Sequence, residues 1–241
     1  MIPLPADKPF QFACSSQVPC FNDCCRDLNQ FLTPYDILRL KNGLGLTSAH
    51  FLEQYTSQHI GPETGLPIIT LRPDYTSDLK CPFVTPQGCR VYADRPASCR
   101  MYPLARAIIR SRQTGQVEER FMLIKEPHCH GFEQGPPMTA HEWMRQQDLT
   151  VYNTMNDRMM AIISLKRQMK PEPLDLKASR LFSMACYDLD AFRQYIDANG
   201  LPDNSDAQGI GPEILLTDDI ALLKFAFKWI IHELFDVGDS E

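Results

Sequence analysis

The apolar positions keep no regular period over residues 1–32, where Pro3, Pro5, Pro9 and Pro19 interrupt backbone hydrogen bonding, so irregular chain is expected there. A helical rhythm then begins. In TPYDILRLKNGLG, Thr33 fits an N-cap, Pro34 the first helical position and Asp36 the positive helix end, with Gly43 placed to close it. Ile37, Leu38, Leu40 and Leu44 would face a core. A second short helix is predicted from Thr47, with Phe51, Leu52 and Tyr55 on one face. Within residues 61–80, punctuated by Gly, Pro and Asp, LPIITLR reads as a strand.

Farther on, ARAIIRSRQTGQVEERFMLIK reads as two strands joined at Gln113–Gly115, a hairpin. Pro136 and Pro137 mark a boundary, after which Thr139 and Glu142 form a capping box that opens a helix. The period is helical from there over roughly 140–147, 149–169, 175–185, 188–198 and 218–235. Pro171, Pro173, Gly200 and the polar residues 202–212 separate these stretches. Phe225, Phe227 and Trp229 read as core positions of the last helix. An α+β protein is predicted: an irregular cysteine-rich domain over residues 1–135, with short helices and a small antiparallel sheet, then an all-α region over 136–241.

Composition changes this picture little. Hydrophobic residues at 44% and charged residues at 22% are ordinary for a soluble globular chain, and 241 residues suffice to bury a core. A net charge of −6 argues against broad nucleic-acid binding, which needs a basic surface to release phosphate counterions. The one basic run comprises Arg90, Arg95, Arg100, Arg106, Arg110 and Arg112. No segment approaches the roughly 20 apolar residues of a membrane span. The first residues lack the basic start and apolar centre of a secretory signal, so a cytoplasmic location with reduced thiols is expected.

Cysteine changes it most. Eight of the nine cysteines lie between residues 14 and 129, spaced Cys14-x5-Cys20-x3-Cys24-Cys25, then Cys81-x7-Cys89-x9-Cys99, then Cys129. Thiolates select zinc, iron in iron–sulfur clusters or cuprous copper. About four thiolates saturate one tetrahedral zinc or one [4Fe–4S] cluster, so eight match two such centres. A disulfide framework would need an oxidising compartment, and scattered buried thiols would not concentrate in loops rich in Gly, Pro and Asn. Cys186, beside Leu181 and Phe182 on a helical face, reads as a small buried hydrophobe. Pro82, Pro86, Gly88, Pro96 and Pro103 stiffen the middle loops, and Arg95 and Arg100 are placed to offset thiolate charge or, for Arg95, to pair with Asp94 or Asp36. In HCHGF, Cys129 is the expected ligand and His128 and His130 its supporting neighbours. The GxGxxG, Walker A, HExxH and GxSxG patterns are absent, so no reaction is legible.

The run CxxxCC, then LTPYDILRLKNGLG, then CPFVTPQGCRVYADRPASCRMYP resembles the bacterial and archaeal cysteine-cluster family named CxxCxxCC, YkgJ-like zinc- or iron-chelating proteins, over about residues 10–133. The first cluster here is looser than the family name. The resemblance implies metal or cluster binding. A flagellin lysine N-methylase has a similar cysteine cluster, which makes a redox-linked protein modification one expected activity beside electron transfer.

Taken together, Cys14, Cys20, Cys24, Cys25, Cys81, Cys89, Cys99 and Cys129 are the expected ligands. Iron–sulfur, one or two [4Fe–4S] clusters, is favoured over zinc because paired Cx2–4C knuckles are missing. The alternative is a zinc-stapled interaction module whose helical tail binds a partner. A protein or redox partner is expected, and neither membrane nor nucleic acid. Consecutive side chains on extended backbone diverge, so Cys24 and Cys25 are expected to serve two centres or two metal atoms of one cluster.

Overall fold

The computed structural model describes residues 1–110, 116–200 and 212–235. In chain order come β1 (Ile2–Leu4), β2 (Phe10–Phe12), β3 (Phe31–Leu32), α1 (Pro34–Leu44), α2 (Ser48–Tyr55), β4 (Thr56–Ile60) and β5 (Pro67–Leu71). Then follow β6 (Val84–Thr85), β7 (Gly88–Cys89), a single 3-10 turn at Tyr92–Asp94 and α3 (Ala97–Met101). After these run β8 (Leu104–Arg110), β9 (Val117–Leu123) and β10 (Phe132–Met138). Helices α4 (Ala140–Gln146), α5 (Leu149–Met169), α6 (Leu176–Tyr187), α7 (Leu189–Asn199), α8 (Pro212–Thr217) and α9 (Asp219–Phe235) complete the order. The fold is α+β as expected, with small antiparallel sheets and a helical C-terminal region.

Two compact units form, interleaved in sequence: residues 1–28 with 73–152, and residues 29–72 with 153–241. This differs from a division at residue 135, and side-chain burial is the reason. Trp143 of α4 is buried among Leu4, Phe10, Phe12, Leu104, Phe121 and Met138, so α4 belongs to the first unit. Conversely, α1 packs on α6 and α9, α2 on α7, and β5 on α6, so residues 29–72 join the C-terminal helices.

In the first unit, β1, β9 and β8 form an antiparallel sheet in that order, with Leu104 opposite Leu123 and Ile109 opposite Glu118. The hairpin is therefore present, while its turn at Gln113–Gly115 lies outside the described residues. The first twelve residues are less irregular than expected. Pro3 is tolerated because β1 is an edge strand, and Leu4, Phe10 and Phe12 turn inward. Strand β2 pairs with β10, Phe12 opposite Phe132 and Phe10 opposite Met138, and the register breaks between Phe132 and Pro137. That irregularity lets Pro136 and Pro137 lie in a strand instead of ending the domain. Around Phe12 the rings of Tyr102, Phe132 and Trp143 stand edge-on at 5.6, 5.3 and 5.6 Å. The Thr139–Glu142 capping box forms as expected, and Trp143 Nε1 donates to Met101 O at 3.1 Å.

In the second unit, Thr33 and Asp36 make a capping box for α1, and Pro34 opens the helix. The helix runs through Gly43 and closes at Gly45, whose φ of +67° supplies the left-handed cap. Lys41 Nζ lies 3.3 Å from Asp190 Oδ1 and 3.5 Å from Asp219 Oδ2. Asp190 also accepts from the Ser48 N–H at 2.6 Å and lies 3.1 Å from Arg193, so one largely buried charge network ties α1, α2, α7 and α9 together. Strand β4 was not expected, because TSQHI lacks apolar alternation; it is held by pairing along β5. Helix α8 falls at the end of the polar 202–212 stretch, most of which lies outside the described residues.

Phe225, Phe227 and Trp229 are buried in α9 as expected. Cys186 is fully buried on α6, and burial pushes its thiol well above the usual range. Cys186→Ser places a hydroxyl there, and urea denaturation should show a loss of about 1–3 kcal/mol. Metal content per folded chain should equal that of the parent protein.

Candidate metal centre

All eight thiols expected as ligands lie in the first unit, and Cys186 lies in the second. Cys14 follows β2, whose extension donates from Ala13 N–H to Gly131 O at 3.0 Å. That bond sets the loop bearing Cys129 beside the loop bearing Cys14. Residues 15–25 then wind through consecutive turns, with Val18, Phe21, Asp23 and Cys25 N–H donating to Ser15, Val18, Cys20 and Asn22 carbonyls at 2.9–3.0 Å. Asn22 takes the left-handed conformation, φ +71°, which asparagine tolerates. Its side-chain amide donates to Thr85 O at 3.0 Å and pins the winding loop to the β6–β7 hairpin.

Two further backbone bonds bring thiol loops together. His130 N–H donates to Cys20 Sγ at 3.2 Å, joining the first cluster to the Cys129 loop. Cys81 N–H donates to Cys25 O at 2.8 Å, joining it to the middle cluster. Cys89 stands in β7 opposite Val84, whose N–H reaches back to Cys81 O at 3.1 Å. Cys99 projects from α3.

The thiols feel one another across these loops. Burial, then the charges of Cys24, Cys20 and Cys129, push Cys14 up to about 11, with Arg95 opposing. Cys24 is drawn down to about 7, chiefly because its sulfur accepts a hydrogen bond from the Cys25 thiol; its own backbone N–H and His128 add to this. Donating that bond, together with burial and the nearby Cys24, Cys81 and Cys99, pushes Cys25 far up. Burial raises Cys81, with Cys89 adding to it, and burial raises Cys89. Cys24 and Cys25 thus touch, against the divergence expected of extended backbone. The Cys25 N–H bond to Asn22 O folds this backbone into a turn, which is why the two side chains meet.

Among the described residues no group of three or more His, Cys, Asp or Glu stands arranged to hold an ion, so the thiols are neighbours and not a closed ligand shell. Their surroundings nevertheless suit a thiolate-bound metal. The donor set is sulfur, and Cys14, Cys24 and Cys99 are exposed where Cys20 is buried. Tyr102 Oη is buried with no partner at hydrogen-bond geometry, and it stands beside Cys129 and Cys24. The Cys129 sulfur is the acceptor this hydroxyl faces, and hydrogen bonding from a neighbouring hydroxyl suits a metal-bound thiolate.

The arginines divide. Arg100, expected to balance thiolates, donates instead to the carbonyls of Arg95 at 3.0 Å, Gln147 at 2.8 Å and Ala93, and lies 4.7 Å from the Tyr152 ring. It holds the turn that leads into α3, and so into Cys99, against the end of α4. Arg95 sits 3.7 Å over the Tyr92 ring and donates to Tyr92 O and Gln147 Oε1. Its charge reaches Cys14, Cys89 and Cys99, so it performs the balancing expected of both. His128 lies 3.4 Å from Glu126 and near Cys24, and His130 serves through its backbone, so both support the thiols. Tyr102 and Gly131 escaped the sequence reading, although Tyr102 lies inside the RPxxCRxYP run.

A cysteine-lined metal-binding domain carried on an α+β scaffold is the class this thiol set defines. Residues 13–130 match the CxxCxxCC family model, "Putative zinc- or iron-chelating domain". Comparison with curated proteins and with solved structures found no match. No helix among the described residues is long and apolar enough to cross a membrane.

Two outcomes follow for the metal-free protein. A Cβ at Gly131 would lie 2.5 Å from the Phe12 ring and 2.8 Å from Ala13 O, so Gly131→Ala must separate these loops. It should cost about 1–3 kcal/mol in urea denaturation and raise the reactivity of Cys20 toward iodoacetamide. Alkylation of Cys24 should rise about tenfold per pH unit and level off above about 7, whereas that of Cys14 should keep rising toward about 11. Peptide mass spectrometry across a pH series checks both sites.

Proposed function

We propose that the protein binds iron–sulfur clusters of the [4Fe–4S] type through Cys14, Cys20, Cys24, Cys25, Cys81, Cys89, Cys99 and Cys129, and exchanges electrons with a protein partner. The observation that supports this most is the gathering of eight thiols from separate loops into one unit, with contacts linking the first cluster to both others. Zinc ribbons use two paired Cx2–4C knuckles, and here the Cys20–Cys25 run supplies one such spacing with no second to pair with it. When bound, such a cluster supplies one-electron transfer.

The chain's own residues would set how that occurs. Exposed Cys14, Cys24 and Cys99 would give a redox partner an edge to approach, while Cys20 is buried and Cys129 packs against the Phe12 cluster. Arg95 stabilises added negative charge, and Tyr102 offers its hydroxyl to sulfur. A redox-linked protein modification would use the same edge.

Protein purified without air should be brown, contain iron and acid-labile sulfide in equal amounts, and bleach on addition of dithionite. A colourless protein holding stoichiometric zinc and no sulfide would replace this reading with a zinc-stapled module.

A further inference from the structure

We infer that the eight thiols form two four-thiol centres that meet at Cys24 and Cys25, one built from Cys14, Cys20, Cys24 and Cys129, the other from Cys25, Cys81, Cys89 and Cys99. This rests on the reading of these thiols as metal ligands and adds how they are shared.

Backbone geometry carries the division. Ala13 N–H to Gly131 O at 3.0 Å and His130 N–H to Cys20 Sγ at 3.2 Å place Cys14 and Cys20 on the Cys129 loop. Cys81 N–H to Cys25 O at 2.8 Å places Cys25 on the middle loop, where the β6–β7 hairpin folds Cys89 back toward Cys81. The remaining two members are assigned by charge. Cys24 and Cys129 are both neighbours of Cys14 and of Tyr102, whereas Cys99 is a neighbour of Cys25.

Adjacent residues can serve different centres here because the chain turns at Asn22–Cys25, so their thiols meet at the seam. Arg95 lies at the same seam, since its charge reaches Cys14 in one set and Cys89 and Cys99 in the other. Two anionic centres in contact need such a cation between them, because like charges at short range destabilise each other. Tyr102 stands beside Cys129 and Cys24 of the first set, so the two centres have unlike hydrogen-bonding surroundings and are expected to differ in potential.

The test uses the whole chain, reconstituted anaerobically with iron and sulfide, and reads which thiols resist alkylation. Metal-free protein given increasing iron and sulfide should protect its thiols in two blocks of four with the memberships above. Cys129→Ser should halve the iron and expose Cys14, Cys20 and Cys24, leaving Cys25, Cys81, Cys89 and Cys99 protected. Cys89→Ser should give the converse. Protection of all eight in a single step, or loss of all iron from either folded variant, overturns the division but leaves cluster binding standing. Parent protein that takes up no iron overturns the cluster reading itself. Should a variant fail to fold, the stepwise protection of the parent protein still decides the division.

Discussion

The first unit depends on one close approach, the Gly131 backbone against Phe12 and Ala13. There is no room for a Cβ between them, so this position is open only to glycine. The contact is what registers β2 against β10, and from it Phe12 gathers Tyr102, Phe132 and Trp143 around itself. Cys14 and Cys129 leave the same pair of strands on neighbouring paths. A core packed to the density of an organic crystal therefore determines where two distant thiols stand, without any bond between them.

Arg100 does comparable work at the other end of the unit. It is almost fully buried, and its charge is met by three carbonyl oxygens and the Tyr152 ring. Those carbonyls belong to the turns before α3 and after α4, so the guanidinium fork fixes the turn that leads into α3 and Cys99. Arginine suits this because its planar fork spans several acceptors at once, which a lysine ammonium does not. With Arg100 satisfied by backbone, Arg95 is left for the sulfurs, and the two arginines that looked equivalent in RPxxCR have separate tasks.

How far the sequence reached depended on the range of each signal. Local signals were legible: the Thr33 and Thr139 caps, the β8–β9 alternation and the buried last helix all follow from spacing within a few residues. So was the concentration of thiols, since their loops carry the Gly, Pro and Asn that irregular ligand loops need. What lay out of reach was pairing at long separation. Nothing local in FQF says it will meet residues 132–138, or that LPIITLR will pack on α6. The polar TSQHI strand gave no alternation to read, and Gly43 and Gly45 offered two caps of which only backbone geometry selects one. The meeting of Cys24 with Cys25 was hidden for a related reason: it requires Asn22 at positive φ, a state asparagine permits but does not announce.

The thiol unit is interrupted by residues 29–72, which fold with the C-terminal helices, yet the interruption costs the site little. The chain leaves and returns through one short ladder, in which Asp27 N–H donates to Leu79 O at 3.0 Å, Arg26 bridges Lys80, and Cys81 N–H donates to Cys25 O at 2.8 Å. Cys25 and Cys81 form the rung farthest from the excursion. A metal held by both would clip the ends of a 55-residue excursion at the point where they already touch. Closing a loop of that length is entropically costly in the unfolded chain, but the cost grows only logarithmically, by about 0.6 kcal/mol per doubling. Residues 29–72 are therefore free to answer to the second unit's core, while the ladder at their base answers to the sulfur site. This explains how thiols scattered over 116 positions, from Cys14 to Cys129, converge in one unit that much of the intervening chain does not join.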